Sequence, residues 1–199
     1  MKMSNPVKLI VLLAIAFVFS PRTGQTQFLP LNGAGKCEMT EVVIAEGFSR
    51  SILYSNELKW LKGLSRVDGK LSSIAKDSIA GKISGNFEFL VYAQSGILRK
   101  VAGSISYHFS VETKEGKYRY SFTDFVFHYY AQDRNYRIVK KGNTKPVEET
   151  IALGWQKLWS EHRKTANIWV SNQIDELKVK IVETYKEVNA KAEEKKVDW

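Results

Sequence analysis

At 199 residues, 44% hydrophobic and 26% charged, the chain is long enough to bury a core and too apolar to be disordered. Its 12% aromatic share, with five Trp and nine Tyr, suits a sheet packed by large side chains. A formal charge of +9 favours anionic surfaces without specifying one, and a single cysteine, Cys37, excludes an intramolecular disulfide.

Residues 1–27 read as a signal peptide. Lys2 and Lys8 precede an unbroken apolar run, Leu9 to Phe19, which Ser20-Pro21-Arg22 ends. That run is far shorter than the roughly 20 apolar residues a bilayer span needs, so cleavage between Ser20 and Gln27 is expected, with no transmembrane segment afterwards. Cys37 lies well past the run and follows Lys36, which argues against a lipoprotein. The leader holds Lys2, Lys8 and Arg22 and no acid, leaving twenty-seven basic against twenty-one acidic residues. The expected location is the periplasm or cell envelope. Cys37 itself suits a small, half-buried position at a strand start, since a nucleophilic role would need a histidine base beside it.

Residues 28–199 read as one α+β domain. Phe28 to Gly35 forms a leading loop, and Met39 to Ala45 a short strand centred on Val42, Val43 and Ile44. Ser49 is a good helix N-cap, and Leu53, Trp60, Leu61 and Leu64 recur at helical spacing on one apolar face. Gly63 and Gly69 bracket the exit of that helix.

From Leu71 to Tyr130 the period changes to two. Ile83, Phe87, Phe89 and Val91 alternate with Lys82, Asn86 and Glu88; Ile105, Tyr107, Phe109 and Val111 alternate with Ser104, Ser106, His108 and Ser110. Such alternation predicts an antiparallel sheet with one apolar and one polar face. A two-residue turn at Glu115-Gly116 pairs Val111 with Tyr120, Phe109 with Phe122, Glu112 with Arg119, and Ile105 with Val126. Phe89 and Ile105 share a face only if the loop around Gln94–Lys100 has an odd residue count.

Beyond it, Asp133 to Asn143 is polar and basic with a short strand at Tyr136–Val139. Pro146 suits a first helical turn, and Val147 to Ser160 is helix-like apart from Gly154. Val170, Ile174, Leu177, Ile181 and Val188 then mark one stripe of a long amphipathic helix, ending in a frayed tail at Lys191 to Lys196. The helical C-terminal extension covers about 147–195. A one-sided sheet must hide its apolar face, and the helices are the available cover.

Several segments carry a family resemblance. Phe28-Leu29-Pro30-Leu31, Gly47-Phe48-Ser49, Leu53-Tyr54 and Trp60-Leu61 are followed by Asp77-Ser78-Ile79-Ala80-Gly81-Lys82-Ile83-Ser84-Gly85 and by Gly116 to Phe125. From Phe28 to Tyr130 the chain resembles a domain-of-unknown-function family with a TBP-like fold, common among exported proteins of Bacteroidetes. The resemblance implies a curved antiparallel sheet, ordered β-α-β-meander-α and backed by helices on one face. It implies no activity, because fold does not transmit function.

No catalytic, metal or cofactor constellation stands out. In the register above His128 faces Gly103, five positions and roughly 17 Å along the ladder from His108, too far to share an ion. His162 has Arg163 and Lys164 beside it. Asp124 falls in phase with the apolar set, opposite Tyr107. There it would either fix a turn or bulge through hydrogen bonds or serve as a general acid with a raised pKa.

Phe125, Phe127 and Tyr129 fall out of phase with Phe122. Either a β-bulge near Asp124 and the Val147–Ser160 segment, with Trp155 and Trp159, bury them, or they line a groove for a peptide, lipid or glycan. With the basic run Arg137, Lys140 and Lys141, which could touch an anionic surface, they form the candidate binding surface. The expected function is a non-enzymatic binding or interaction module of the cell envelope, whose partner is an envelope protein or small ligand and not nucleic acid. The alternatives are a helix-grip carrier of lipid or another small ligand and an enzyme using Asp124.

Overall fold

The computed structural model describes residues 27–65, 69–95 and 98–197, without the side chains of residues 94, 95, 98, 99 and 182–197. The leader, Gly96, and the side chains of Val188 and of the Lys191–Lys196 tail therefore lie outside the described residues. The elements run β1 (Met39–Ile44), α1 (Arg50–Leu64), β2 (Lys70–Asp77), β3 (Lys82–Ser95), β4 (Leu98–Lys114), β5 (Lys117–Gln132), β6 (Ile138–Pro146) and α2 (Gln156–Val197). The backbone of α2 stays helical through the expected tail.

All strands pair antiparallel in the order β1-β5-β4-β3-β2. The free edge of β5 is shared: β1 covers its first half, from Ile44 opposite Lys117 to Met39 opposite Phe122. β6 covers the second, from Pro146 opposite Val126 to Ile138 opposite Gln132.

The β4–β5 hairpin turns at Glu115-Gly116, where Gly116 takes a positive φ of 68° that a side chain would resist. Val111 meets Tyr120, Phe109 meets Phe122, and Glu112 meets Arg119, as alternation predicts. Farther along, Ile105 meets Phe127 and not Val126, because the register slips between Ser106 and His108. In the β3–β4 hairpin Phe89 does oppose Ile105, but the last pair is Ser95 with Leu98. The odd residue is absorbed by a slip at Val91/Tyr92 and not by the loop.

One face of this sheet is sealed. Ser49 caps α1 and accepts from the Ile52 N–H, and Leu53, Trp60, Leu61 and Leu64 all turn inward. Trp60 meets Phe109 edge-on at 5.5 Å. From α2, Val170, Ile174, Leu177 and Ile181 are buried, and Trp169 stacks on Phe89 at 4.6 Å. Asn56 on α1 donates to the Ile181 carbonyl at 2.9 Å, tying the helices together. Gly103 sits where an added Cβ would come within 2.5 Å of the Phe127 ring, so the aromatic layer dictates glycine there.

The region after β5 differs from expectation. The strand expected at Tyr136–Val139 begins later and runs to Pro146, which ends β6 and starts no helix. Its missing N–H costs little at the strand terminus, and the next residue, Val147, donates to the Phe125 carbonyl at 3.0 Å. A pinned loop follows: Trp159 donates to the Glu149 carbonyl at 2.6 Å and Arg163 to that of Val147 at 2.9 Å. Gly154, at φ 82°, closes the loop before α2 starts at Gln156.

Candidate functional site

The site is built by one irregularity in β5. Asp124 adopts φ 56° and sits in the register slip opposite Tyr107, the geometry of a β-bulge. The bulge absorbs one residue, so Phe122 and the next two odd-numbered aromatics fall on the same side. Phe125 and Phe127 are each 1% exposed, and Tyr129 packs half-buried beside them. Phe127 is boxed in by Trp155 at 5.6 Å, Trp159 at 5.5 Å and the stacked His162 ring at 5.5 Å. Phe125 and Phe127 are thus buried and can line no groove, which corrects that part of the candidate surface, while Tyr129 keeps part of its ring exposed. Burying two Phe rings is worth about 3–6 kcal/mol, against about 1–3 kcal/mol for a non-glycine residue at positive φ. Burial wins.

The same bulge turns Asp124 and His128 toward the other face. Asp124 is exposed and accepts from the Thr123 hydroxyl at 3.1 Å, so it is no buried acid in the apolar layer. His128 now opposes Ser104 instead of Gly103. Among the described residues no helix covers this face; α1 and α2 pack on the opposite one.

The open face is also curled. Glu88 on β3 and Lys140 on β6 are separated by β4 and β5, about 14 Å if the sheet were flat. Yet the Lys140 ammonium lies 2.7 and 2.8 Å from the two Glu88 oxygens. Long side chains cover most of that gap, and a sheet bent toward this face by the bulge and by the further slip at His128/Tyr130 covers the rest. The result is a trough of two depressions joined at Glu88 and Lys140. One, of about 420 Å³, holds Asn86, Ser106, His108, Asp124 and His128; the other, of about 340 Å³, holds Lys70, Leu90 and Tyr130.

Its side chains are paired in advance. Ser104 donates to Glu88, Ser106 Oγ and His128 Nε2 lie 2.8 Å apart, and His108 Nδ1 sits 2.9 Å from Asn86 Oδ1. Burial alone would raise the Glu88 pKa, but the Lys140 ammonium and the Ser104 hydroxyl outweigh it and hold the carboxylate below its usual range. For His128, burial and then the nearby Lys140 charge push the imidazole below its ordinary value against an opposing pull from Glu88.

Of the basic residues singled out from sequence, Lys140 alone enters the trough. Arg137 and Lys141 are exposed beside the β5–β6 turn. Among the described residues no three His, Cys, Asp or Glu side chains group closely enough to hold a metal ion. Cys37 is buried, which pushes its thiol up to about 11 and leaves no thiolate for chemistry. Sequence reasoning had Asn86, Glu88, Ser104, Ser106 and His108 on the polar face but not as a site, because strand alternation carries no information about curl. His128 could be found only by placing the bulge.

Residues 39–128 match the family described as a domain of unknown function (DUF4468) with TBP-like fold. A DUF4468 family protein from Bacteroides ovatus shares the fold at a TM-score of 0.54 and 17% identity, over 78% of this chain and 91% of its own. A TBP-like protein from Parabacteroides distasonis aligns at a TM-score of 0.48 and 16% identity, over 75% and 96%. No curated protein matches. The α+β, TBP-like architecture is thereby established, and with it no activity.

Proposed function

We propose that this chain, whose residues 39–128 match the DUF4468 family model, is an exported binding module of the cell envelope, which holds its ligand in the open trough without covalent chemistry. Export is carried by the leader at residues 1–27. The binding role is carried by one observation: among the described residues two helices seal one sheet face and none covers the other, which is concave and lined with pre-paired polar groups. Preorganised polar groups in a concave site favour recognition because less ordering is needed on binding. The helix-grip carrier draws less support, since Trp169, Phe87 and Phe89 stack where its cavity would lie.

The test is retention from envelope extracts on immobilised protein, wild type beside Glu88→Ala/Lys140→Ala. The Glu88–Lys140 pair is partly exposed, so its loss costs at most about 1 kcal/mol of stability. A ligand kept by the wild type and lost by the double variant supports the reading; equal retention, or none at any salt concentration, contradicts it.

A second reading draws on the Ser106–His128 contact, which has the geometry of a nucleophile beside its base. Ser106 Oγ would attack an acyl carbon while His128 Nε2 takes its proton. Against it, Ser106 lies in a strand paired on both sides, whose ladders engage the backbone donors that an oxyanion needs. Labelling of Ser106 by a fluorophosphonate, lost in His128→Asn, would favour this reading over the first.

A further inference from the structure

We infer that the trough takes a neutral, polyhydroxylated ligand, a short stretch of glycan; this rests on the proposed binding role of the open face and supplies the ligand class it leaves open. Charge balance is the first argument. Two carboxylates, Glu88 and Asp124, and two ammonium groups, Lys70 and Lys140, line the joined depressions, and Lys140 is already engaged by both Glu88 oxygens. The four charges sum to zero, so the trough as a whole favours an ion of neither sign, and the Glu88–Lys140 pair is closed on itself. Hydroxyl groups both donate and accept, so they need no net charge of either sign.

The second argument is the pattern of hydrogen-bonding ends. Asn86 Oδ1 is held by His108 Nδ1, which leaves the Asn86 amide N–H groups and His108 Nε2 for a ligand. Asp124 adds an acceptor on the exposed side of the bulge. A donor on β3 and acceptors on β4 and β5 thus stand on neighbouring strands, about 4.8 Å apart, a spacing suited to the ring hydroxyls of a sugar. In the adjoining depression Tyr130 and Leu90 present a ring and an aliphatic side chain, against which the C–H face of a pyranose packs.

Competing ligand classes fit less well. A lipid chain needs continuous apolar lining, whereas polar and charged side chains from Asn86 to Lys140 interrupt it along the whole trough. An extended peptide gains its affinity from an unpaired sheet edge, whereas the polar floor of the trough is carried by β3, β4 and β5, each paired on both sides, and the edge strands β2 and β6 form only its rims. The two volumes, about 420 and 340 Å³, fall in the range of small-ligand sites.

The test is an NMR titration of the purified protein with maltotriose, cellotriose and tri-N-acetylchitotriose. Tri-galacturonate, trilysine and anionic phosphatidylglycerol vesicles serve as charged counterparts. At least one neutral trisaccharide is expected to shift the amides around Asn86, Ser106 and His128, with affinity unchanged by added salt. Asn86→Ala and Tyr130→Ala should each weaken it about tenfold while leaving the helix amides in place, which separates lost contacts from lost folding. Salt-sensitive binding of a charged probe in the trough, in place of the neutral ones, overturns the ligand class and leaves the binding role standing. Neutral sugars that leave the trough amides unmoved also overturn it, and if extract retention is equal in wild type and double variant, the binding role falls as well.

Discussion

Glu57 is an unusual residue for the interior of α1: it is 0% exposed, and neither carboxylate oxygen has a hydrogen-bond partner. Burial pushes its pKa up from 4.5 to about 8. The unfolded chain therefore gives up this proton near pH 4.5 and the folded chain only near 8, so folding takes up a proton between those limits. Stability must fall as pH rises through that window and level off above it, a loss of about 3 kcal/mol by pH 7. Glu57→Gln, which mimics the protonated form, is expected to recover most of that loss at pH 7 and to flatten this part of the pH profile in urea denaturation. An unchanged profile would contradict the assignment. Phe127 sits at the opposite extreme, an apolar ring enclosed by two Trp and His162. Phe127→Ala should cost about 3–5 kcal/mol, read as a lower urea midpoint; a variant of wild-type stability would place this ring outside the core.

Among the elements, β5 decides most. Its bulge at Asp124 reconciles a strand whose aromatics change phase halfway along. The strain belongs to the backbone, at φ 56°, so residue type at 124 should matter through conformation. Asp124→Gly is expected to hold or gain up to about 1 kcal/mol of stability. Asp124→Val, whose branched side chain resists positive φ, should lose about 1–3 kcal/mol. Thermal melts distinguish the two, and a valine variant as stable as the glycine one would argue against the bulge. Deleting Asp124 removes the extra residue without turning Phe125 or Phe127 outward. The protein should still fold, but with a flatter sheet that no longer joins Glu88 to Lys140.

These elements also show what the sequence conveyed. The β4–β5 register from Lys114–Lys117 back to Phe109–Phe122 follows from alternation and a glycine turn, both local properties. Past Asp124 the register depends on which burial wins. Two aromatics could occupy either face until Trp155, Trp159 and His162, some thirty residues later in the chain, are placed against one of them. The role of Pro146 was misjudged for the same reason, since its terminal place in β6 depends on pairing with Val126, a partner distant in sequence. The trough was illegible because curl is a property of several strands together.

For the molecule as a whole, the proposed leader precedes a sheet with one face sealed and the other uncovered by any helix among the described residues. Protein recovered from the envelope of an expressing cell should begin between Ser20 and Gln27, as N-terminal sequencing would show; an intact Met1 would remove the argument for export. Among the described residues no helix is long and apolar enough to cross a membrane. The difference between the two faces is reported by the three histidines. His162 is 1% exposed and stacked on Phe127, while His108 and His128 are half-buried in the trough. Carbethoxylation of the native protein, followed by mass spectrometry, reads all three at once. His108 and His128 should react in the folded state and His162 only on unfolding. A His162 that reacts as fast as its counterparts, or a His128 that stays protected, would contradict the division of this sheet into a closed face and a working one.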